Sequence, residues 1–140
     1  MRVVLDANIF VSFFLTKSPT TSKIFNFWEK KKIIVLISIE IKAEVFKVFQ
    51  YPKIKKFLKP QNFQALKYLF NEEVLLIYPQ KRISLCKDPK DNIYLECCLE
   101  GKANYLITGD KKHLLSLKKF KQTKIVSPKE FIHQVWFYNS

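Results

Sequence analysis

A chain of 140 residues has the size of one domain, usually about 100–200 residues, so we predict a single domain over residues 1–140. Its composition, 48% hydrophobic and 15% aromatic, excludes a disordered chain because it supplies enough apolar side chains for a core. Lys and Arg number 25 against 12 Asp and Glu. This net charge of +13 excludes an acidic protein and favours a polyanionic partner, which could be nucleic acid, an anionic membrane or an acidic protein.

Short β-rich runs alternate with helical patterns along the chain. In chain order, the pattern predicts a strand at Arg2–Leu5, a helix at Thr21–Lys31, a strand at Ile33–Ile37, a helix capped by Ser38 with apolar residues as far as Phe49, a helix near Asn62–Phe70, a strand at Val74–Tyr78, a helix at Pro89–Glu100, a strand at Tyr105–Thr108, a short strand at Ile125–Val126 and a helix from Pro128 to about Val135. This order predicts an α/β fold with a central parallel sheet of four to five strands, covered by helices on both faces.

Individual residues mark where several of these elements begin and end. The continuous β-branched run Ile33–Ile37 is typical of a strand buried on both faces. Gly101 and Gly109 are predicted to end the helix and the strand that precede them. These boundaries matter because the ligand site of such a sheet lies outside the carboxyl ends of its strands.

The cysteines and the apolar runs predict a location in the cytoplasm. Cys86, Cys97 and Cys98 are odd in number and lack CxxC spacing, which indicates a reducing compartment rather than a disulfide framework. The two histidines, His113 and His133, are far from each other and from the cysteines in sequence, which argues against a zinc site. No signal-peptide pattern is evident and no apolar run approaches the ~20 residues that span a bilayer, so a membrane association is not expected.

Six of the twelve acidic residues are predicted at strand ends or helix beginnings, namely Asp6, Glu40, Glu44, Asp88, Asp91 and Asp110. A single carboxylate at such a place can be a helix cap, and an acidic pair can be a solvated face. Several carboxylates at one sheet edge repel one another unless a cation neutralises them. Oxygen ligands without Cys or His suit Mg²⁺ or Mn²⁺, which can activate water and stabilise charge on a phosphate. The set therefore predicts a phosphodiesterase in which lysines gather the polyanion.

The ordered motifs resemble the PIN domain over nearly the whole chain, from Arg2 to about Val135. Asp6-Ala7-Asn8 looks like the opening motif of that family, and the helix from Ser38 to Glu44 is similar to its second acidic element. The runs Cys86–Glu96 and Ala103–Asp110 resemble the third and fourth elements. The sequence Thr108-Gly109-Asp110-Lys111-Lys112-His113-Leu114-Leu115, followed by Ile125–Phe131, looks like the VapC-like toxins of toxin–antitoxin pairs.

The resemblance implies a three-layer α/β/α fold and a ribonuclease that depends on Mg²⁺ or Mn²⁺. It implies that the catalytic and metal-binding acids are Asp6, Glu44, Asp91 and Asp110, with Asn8 and Thr108 as polar residues that hold them in place. It also implies an RNA substrate, an antitoxin protein that blocks the site, and a homodimer. The alternative is a non-catalytic PIN-like module that binds RNA or protein.

Two pairs of acids lie close together in the motifs, and the position of each acid in its helix predicts which member of the pair binds the metal. Pro89 favours the first helical position, so Asp88 is predicted to cap the helix through the N–H of Lys90 or Asp91. Asp91 is then left to face the strand ends. Glu40 lies in the first turn, where its charge suits the helix dipole, whereas Glu44 lies one turn deeper and is the predicted ligand. His113 follows Asp110 closely enough to approach the site.

Overall fold

The sheet is built from strands that alternate with helices. The computed structural model describes residues 1–110 and 113–139, and side chains as far as residue 135; Lys111 and Lys112 of the fourth motif lie outside the described residues. The strands are β1 (Arg2–Leu5), β2 (Ile34–Ser38), β3 (Val74–Ile77), β4 (Tyr105–Ile107), β5 (Lys119–Phe120) and β6 (Thr123–Val126). The helices are α1 (Ala7–Leu15), α2 (Pro19–Glu29), α3 (Ile39–Phe49), α4 (Pro52–Lys55), α5 (Pro60–Glu72), α6 (Pro89–Gly101) and α7 (Pro128–Asn139).

The strand order within the described residues is β3-β2-β1-β4-β6-β5. All neighbouring strands are parallel except β5 and β6, which are antiparallel. From β1 to β3 the chain moves one way across the sheet, and α6 then carries it back to β4 on the other side of β1. Because parallel crossovers are right-handed, this reversal places α6 on the face opposite α1–α5. The predicted three-layer α/β/α class is therefore confirmed.

The predicted parallel sheet is confirmed with five strands, and β5 adds a sixth, antiparallel strand at its edge within the described residues. The additional strand β5 has two residues, too few to show any periodic pattern, and its pairing with β6 comes from the turn that joins them. The helices α1 and α4 were also absent from the sequence prediction. The apolar stretch of α1, ANIFVSFFL, is hydrophobic almost all round and has little helical periodicity.

Several predicted boundaries shift by one to two residues. The helix predicted at Thr21–Lys31 is found at Pro19–Glu29, where Pro19 occupies the first turn. The strand predicted at Ile33–Ile37 is found at Ile34–Ser38, and Ile34 is 45% exposed, so the expectation of burial on both faces fails at its first residue. Ser38 caps α3 as predicted, because its hydroxyl accepts the N–H of Ile41 at 3.2 Å.

The C-terminus of α6 differs from the prediction that Gly101 would end it. Gly101 is the last helical residue, and a Cβ there would lie 2.6 Å from Leu36 Cδ1, so the glycine allows α6 to pack closely on β2. The left-handed residue that terminates the helix is Lys102, with φ 53° and ψ 50°. The N–H of Ala103 then reaches back to the Cys98 carbonyl at 3.0 Å, as in a Schellman cap.

Replacing Lys102 with Gly is expected to raise the free energy of unfolding by about 0.5–1 kcal/mol, because glycine lacks the Cβ that strains the left-handed conformation. The matched control is Lys67→Gly, at an exposed position inside α5, which is expected to lower it by about 1 kcal/mol. Urea unfolding of both variants measures the difference. Destabilisation of similar size in the two variants would show that Lys102 is not strained.

The face of the sheet that α1–α5 cover contains an aromatic cluster that holds α1 against α2 and α5. The Phe10 ring makes edge-to-face contacts with Phe25, Trp28 and Phe70 at centroid distances of 5.9, 6.1 and 5.2 Å. Such pairs add about 0.5–1.5 kcal/mol each beyond the burial of their area. This packing fixes the start of α1, which carries the first acidic motif. No helix of the described chain is long and apolar enough to cross a membrane.

Candidate metal centre

A cavity of about 170 Å³ opens at the carboxyl ends of β1 and β4, where the strand order reverses. Residues from the start of α1, from α3, from the first half of α6 and from the segment after β4 line it, namely Asp6, Ala7, Asn8, Glu44, Val48, Asp88, Lys90, Asp91, Tyr94 and Asp110. The structure thus brings the four acids of the sequence prediction to one place. A larger groove of about 720 Å³ near α2 and α7 has one carboxylate, Glu130, among its described lining residues, so charge rather than size distinguishes the acidic cavity.

Asp6 is buried and held rigidly at the base of the cavity. One carboxylate oxygen accepts the Asn8 backbone N–H at 2.8 Å, which makes Asp6 the N-cap of α1. The other accepts the hydroxyl proton of Thr108. Thr108 in turn accepts the N–H of Asp110 at 3.0 Å, so one threonine links the acids that follow β1 and β4. The Asn8 side chain is exposed, and its recorded contact with Asp6 is made by its backbone.

Asp91 and Asp110 approach each other from different elements. Together with His113 they form a group in which one possible ligand atom of each side chain lies within 4.8 Å of the others. His113 Nδ1 is 3.1 Å from Asp110 Oδ2, and the His113 backbone N–H donates to Asp110 Oδ1 at 3.2 Å. Within the described residues, the carboxylates of Asp6 and Glu44 line the same cavity but do not belong to this closer group.

Asp88 has the capping role that Pro89 predicts. Its Oδ1 accepts the N–H of Lys90 at 3.0 Å, and Pro89 occupies the first turn of α6. The segment before Asp88, residues 80–86, is hydrogen-bonded to side chains that follow one another along α6 at intervals of about one helical turn. The backbone N–H groups of residues 80, 83 and 86 donate to Glu100, Glu96 and Asn92, at 3.1, 3.0 and 2.9 Å. This anchoring fixes the entry to α6 and hence the position of Asp91.

Glu44 and Glu40 face different neighbours although they are one turn apart on α3. Glu44 lines the cavity, and its charge contributes to raising the pKa of Asp6. Glu40 instead acts on the buried thiol of Cys97 in α6, whose pKa burial raises most and the Glu40 charge raises further. Of the two, Glu44 is the one that lines the cavity, so the choice of Glu44 as the ligand stays a prediction.

Glu44→Gln is expected to lower metal-dependent cleavage by about 10–100-fold, since it removes one negative charge from the cavity. Glu40→Gln is expected to keep most of the activity because Glu40 is not among the described residues that line the cavity. Cleavage rates of a labelled RNA, measured for both variants at saturating Mn²⁺, check this. The opposite ranking would reverse the assignment.

The surroundings of the cavity disfavour the ionised form of two of its carboxylates, those of Asp6 and Asp91. Burial raises the pKa of Asp6, and the charges of Asp110 and Glu44 raise it further against the hydrogen bonds from Thr108 and the Asn8 N–H. Burial and the charges of Asp110 and Asp88 raise the pKa of Asp91 to about 6, opposed by His113. A divalent cation would relieve this repulsion, and the donors are the carboxylate oxygens that Mg²⁺ and Mn²⁺ prefer. The residues present therefore fit the metal that the sequence predicts.

Three residues of the site were not among the predicted site residues. Tyr94 lies one turn after Asp91; its buried hydroxyl accepts the N–H of Ala7 at 3.2 Å, and burial with the nearby acids raises its pKa. Lys90 is the one lysine or arginine among the described residues that line the cavity, and His113 lies nearby. Helical spacing of three from Asp91 could have identified Tyr94. His113 lies three residues after Asp110, and the contact between the two side chains agrees with the expectation that it approaches the site.

Comparisons with known proteins agree with this architecture. A family model described as PIN domain matches residues 2–112. The uncharacterized protein MJ1680 of Methanocaldococcus jannaschii is 32% identical over 145 residues, covering 96% of this chain and 91% of that protein. The fold is similar to the crystal structure of VapBC2 from Rickettsia felis bound to a DNA fragment from their promoter, with a TM-score of 0.58, 16% identity, and coverage of 91% of this chain and 98% of that one.

The fold and the cavity define an α/β protein with a carboxylate centre at its topological switch point. The chain belongs to the PIN domain family, as its sequence motifs predicted. PIN domains are generally nucleases, which are hydrolases. PIN nucleases generally use a divalent metal.

Proposed function

We propose that this chain, a single PIN-like domain over residues 1–140, is a metal-dependent endoribonuclease of the cytoplasm and the toxin of a toxin–antitoxin pair. The observation that carries the proposal is the convergence of Asp6, Glu44, Asp91 and Asp110 on one cavity of a chain whose net charge is +13. A protein released from catalysis has no physical reason to keep an acid whose pKa burial, and then the charges of neighbouring acids, raise to about 6. That argument favours an enzyme over a module that only binds.

The proposed roles of the acids follow from how each is held. Asp91 and Asp110 would be the principal ligands of Mg²⁺ or Mn²⁺, while Asp6 and Glu44 complete the negative field. When bound, the cation supplies Lewis-acid chemistry, polarising a phosphoryl oxygen and activating water for attack on phosphorus. Thr108 keeps Asp6 in one rotamer and, through the Asp110 N–H, positions the fourth acid. Lys90 at the cavity wall supplies a positive charge for the phosphate of the substrate.

The proposed partners follow from the charge and from the neighbour in structure. RNA is the substrate that a basic surface around a carboxylate centre would gather. VapBC2 is a complex bound to promoter DNA, and by analogy we propose an antitoxin protein and a homodimer for this chain.

Cleavage of RNA by the purified chain tests the proposal directly. A single-stranded RNA should be cut with Mn²⁺ or Mg²⁺ and left intact with EDTA. Asp110→Asn, purified in the same way, controls for contaminating nucleases. Equal cleavage in EDTA would contradict the mechanism, and RNA binding that survives EDTA without cleavage in any metal would favour the non-catalytic module.

Salt dependence of RNA affinity measures the contribution of the lysines. The slope of log affinity against log salt concentration should be about −0.7 per phosphate contact on a single strand. Fluorescence anisotropy with a labelled RNA in EDTA separates this binding from cleavage. A flat response would mean that the basic surface faces another partner, such as an acidic protein.

A further inference from the structure

His113 lies beside the acidic pair at the mouth of the cavity. It is one of two histidines in the chain, and its side chain is 44% exposed against 24% for Asp110. Its backbone N–H donates to one oxygen of Asp110, and its ring nitrogen Nδ1 lies 3.1 Å from the other. His113 is therefore held at the Asp110 carboxylate by one backbone contact and one ring contact while its side chain stays partly exposed.

The spacing of these atoms matches a coordination sphere. Ligand atoms about 2.1 Å from an octahedral cation are separated by about 3.0 Å when they are neighbours and about 4.2 Å when they are opposite. The His113 Nδ1 to Asp110 Oδ2 distance of 3.1 Å fits the first value. One ligand atom each of Asp91, Asp110 and His113 lies within 4.8 Å of the others, so the group has the size of such a coordination sphere.

We propose that His113 is a nitrogen ligand of the cation at this centre, beside Asp91 and Asp110, and that it makes the centre prefer Mn²⁺ to Mg²⁺. The inference rests on the proposed function, from which it takes the divalent cation. Its chemical basis is that Mg²⁺ prefers oxygen ligands, whereas imidazole suits transition metals. A wholly carboxylate centre has no such reason to discriminate.

A second role for His113 is compatible with the same distance. As a hydrogen-bond donor to Asp110 the imidazole would only position the carboxylate, and it would then support Mg²⁺ and Mn²⁺ equally. The two roles differ in whether nitrogen touches the metal. Electron spin echo envelope modulation of protein-bound Mn²⁺ detects a directly bound imidazole by its ¹⁴N coupling.

The experiment compares the full chain with three variants: His113→Asn, His133→Asn and Asp110→Asn. The ¹⁴N signal is expected in the unaltered chain and in His133→Asn, and is expected to vanish in His113→Asn. His133 is the matched control because it is the other histidine of the chain and lines the separate groove near α7. By calorimetric titration, His113→Asn should weaken Mn²⁺ binding at least about tenfold, while Mg²⁺ binding changes by less than about threefold.

The other outcomes overturn the inference in distinguishable ways. Mn²⁺ that binds through Asp110 without any ¹⁴N coupling, or equal losses of Mn²⁺ and Mg²⁺ affinity in His113→Asn, would reduce His113 to a positioning residue and leave the proposed function standing. A coupling that disappears only in His133→Asn would place the metal elsewhere. Absence of Mn²⁺ binding, or binding that Asp110→Asn does not weaken, would contradict both the inference and the metal-dependent function.

Discussion

Asp91→Asn is expected to lower metal-dependent RNA cleavage by at least about a hundredfold while leaving the metal-free protein folded and slightly more stable. The amide keeps the shape of the side chain but removes a charge that burial, Asp110 and Asp88 all disfavour, as the raised pKa of about 6 indicates. Because Asp91 is partly exposed, solvent screening limits the gain in unfolding free energy to about 1 kcal/mol. Cleavage assays in Mn²⁺ and thermal unfolding in EDTA measure the two effects.

Asp88→Ala is the matched control three residues away. It removes the acceptor of the Lys90 N–H and should destabilise the protein by about 1 kcal/mol, the usual cost of losing an N-cap. Because it also removes a negative neighbour of Asp91, it should lower the pKa of that residue and keep most of the activity. An active Asp91→Asn beside a folded but inactive Asp88→Ala would show that the two roles have been exchanged.

Mn²⁺ is expected to stabilise the protein strongly at pH 7 and much less at pH 5. A cation that binds only the folded chain adds about 2.7 kcal/mol at a hundred times its dissociation constant. Protons compete with it at low pH, because Asp6 and Asp91 have pKa values raised by burial, that of Asp91 to about 6. Thermal unfolding with Mn²⁺ and with EDTA at both pH values tests the difference, with Asp110→Asn as the control that loses the response.

The metal-free protein should show the opposite dependence on pH. Between the ordinary aspartate value of 3.8 and about 6, the folded state binds more protons at Asp91 than the unfolded state does. Stability contributed by this group is therefore complete below about pH 4 and is lost as the pH rises towards 6 and above. A metal-free Asp91→Asn variant should lack this part of the dependence. An identical pH profile in that variant would mean that Asp91 is not perturbed.

Local neighbours in the sequence were sufficient to predict the capping residues. Asp88 before Pro89, and Ser38 before an apolar helix, both have the predicted hydrogen bonds, because N-caps act on N–H groups two or three residues away. Neighbouring residues were not sufficient to predict how α6 ends. There Gly101 is needed for close packing on Leu36, a residue far away in sequence, and the left-handed position falls on Lys102 instead.

By itself, the sequence determined the α/β class, the positions of the main strands along the chain and the elements that carry the four predicted acids. These depend on periodicity and on turn residues, which act over a few positions. Only the tertiary structure decided that β1 lies between β2 and β4, which brings Asp6 beside Thr108 and Asp110. It also decided that the Tyr94 hydroxyl meets the Ala7 N–H and that β5 extends the sheet. Strand order and loop closure sum many weak interactions over the whole chain, so a few neighbouring residues do not determine which elements meet.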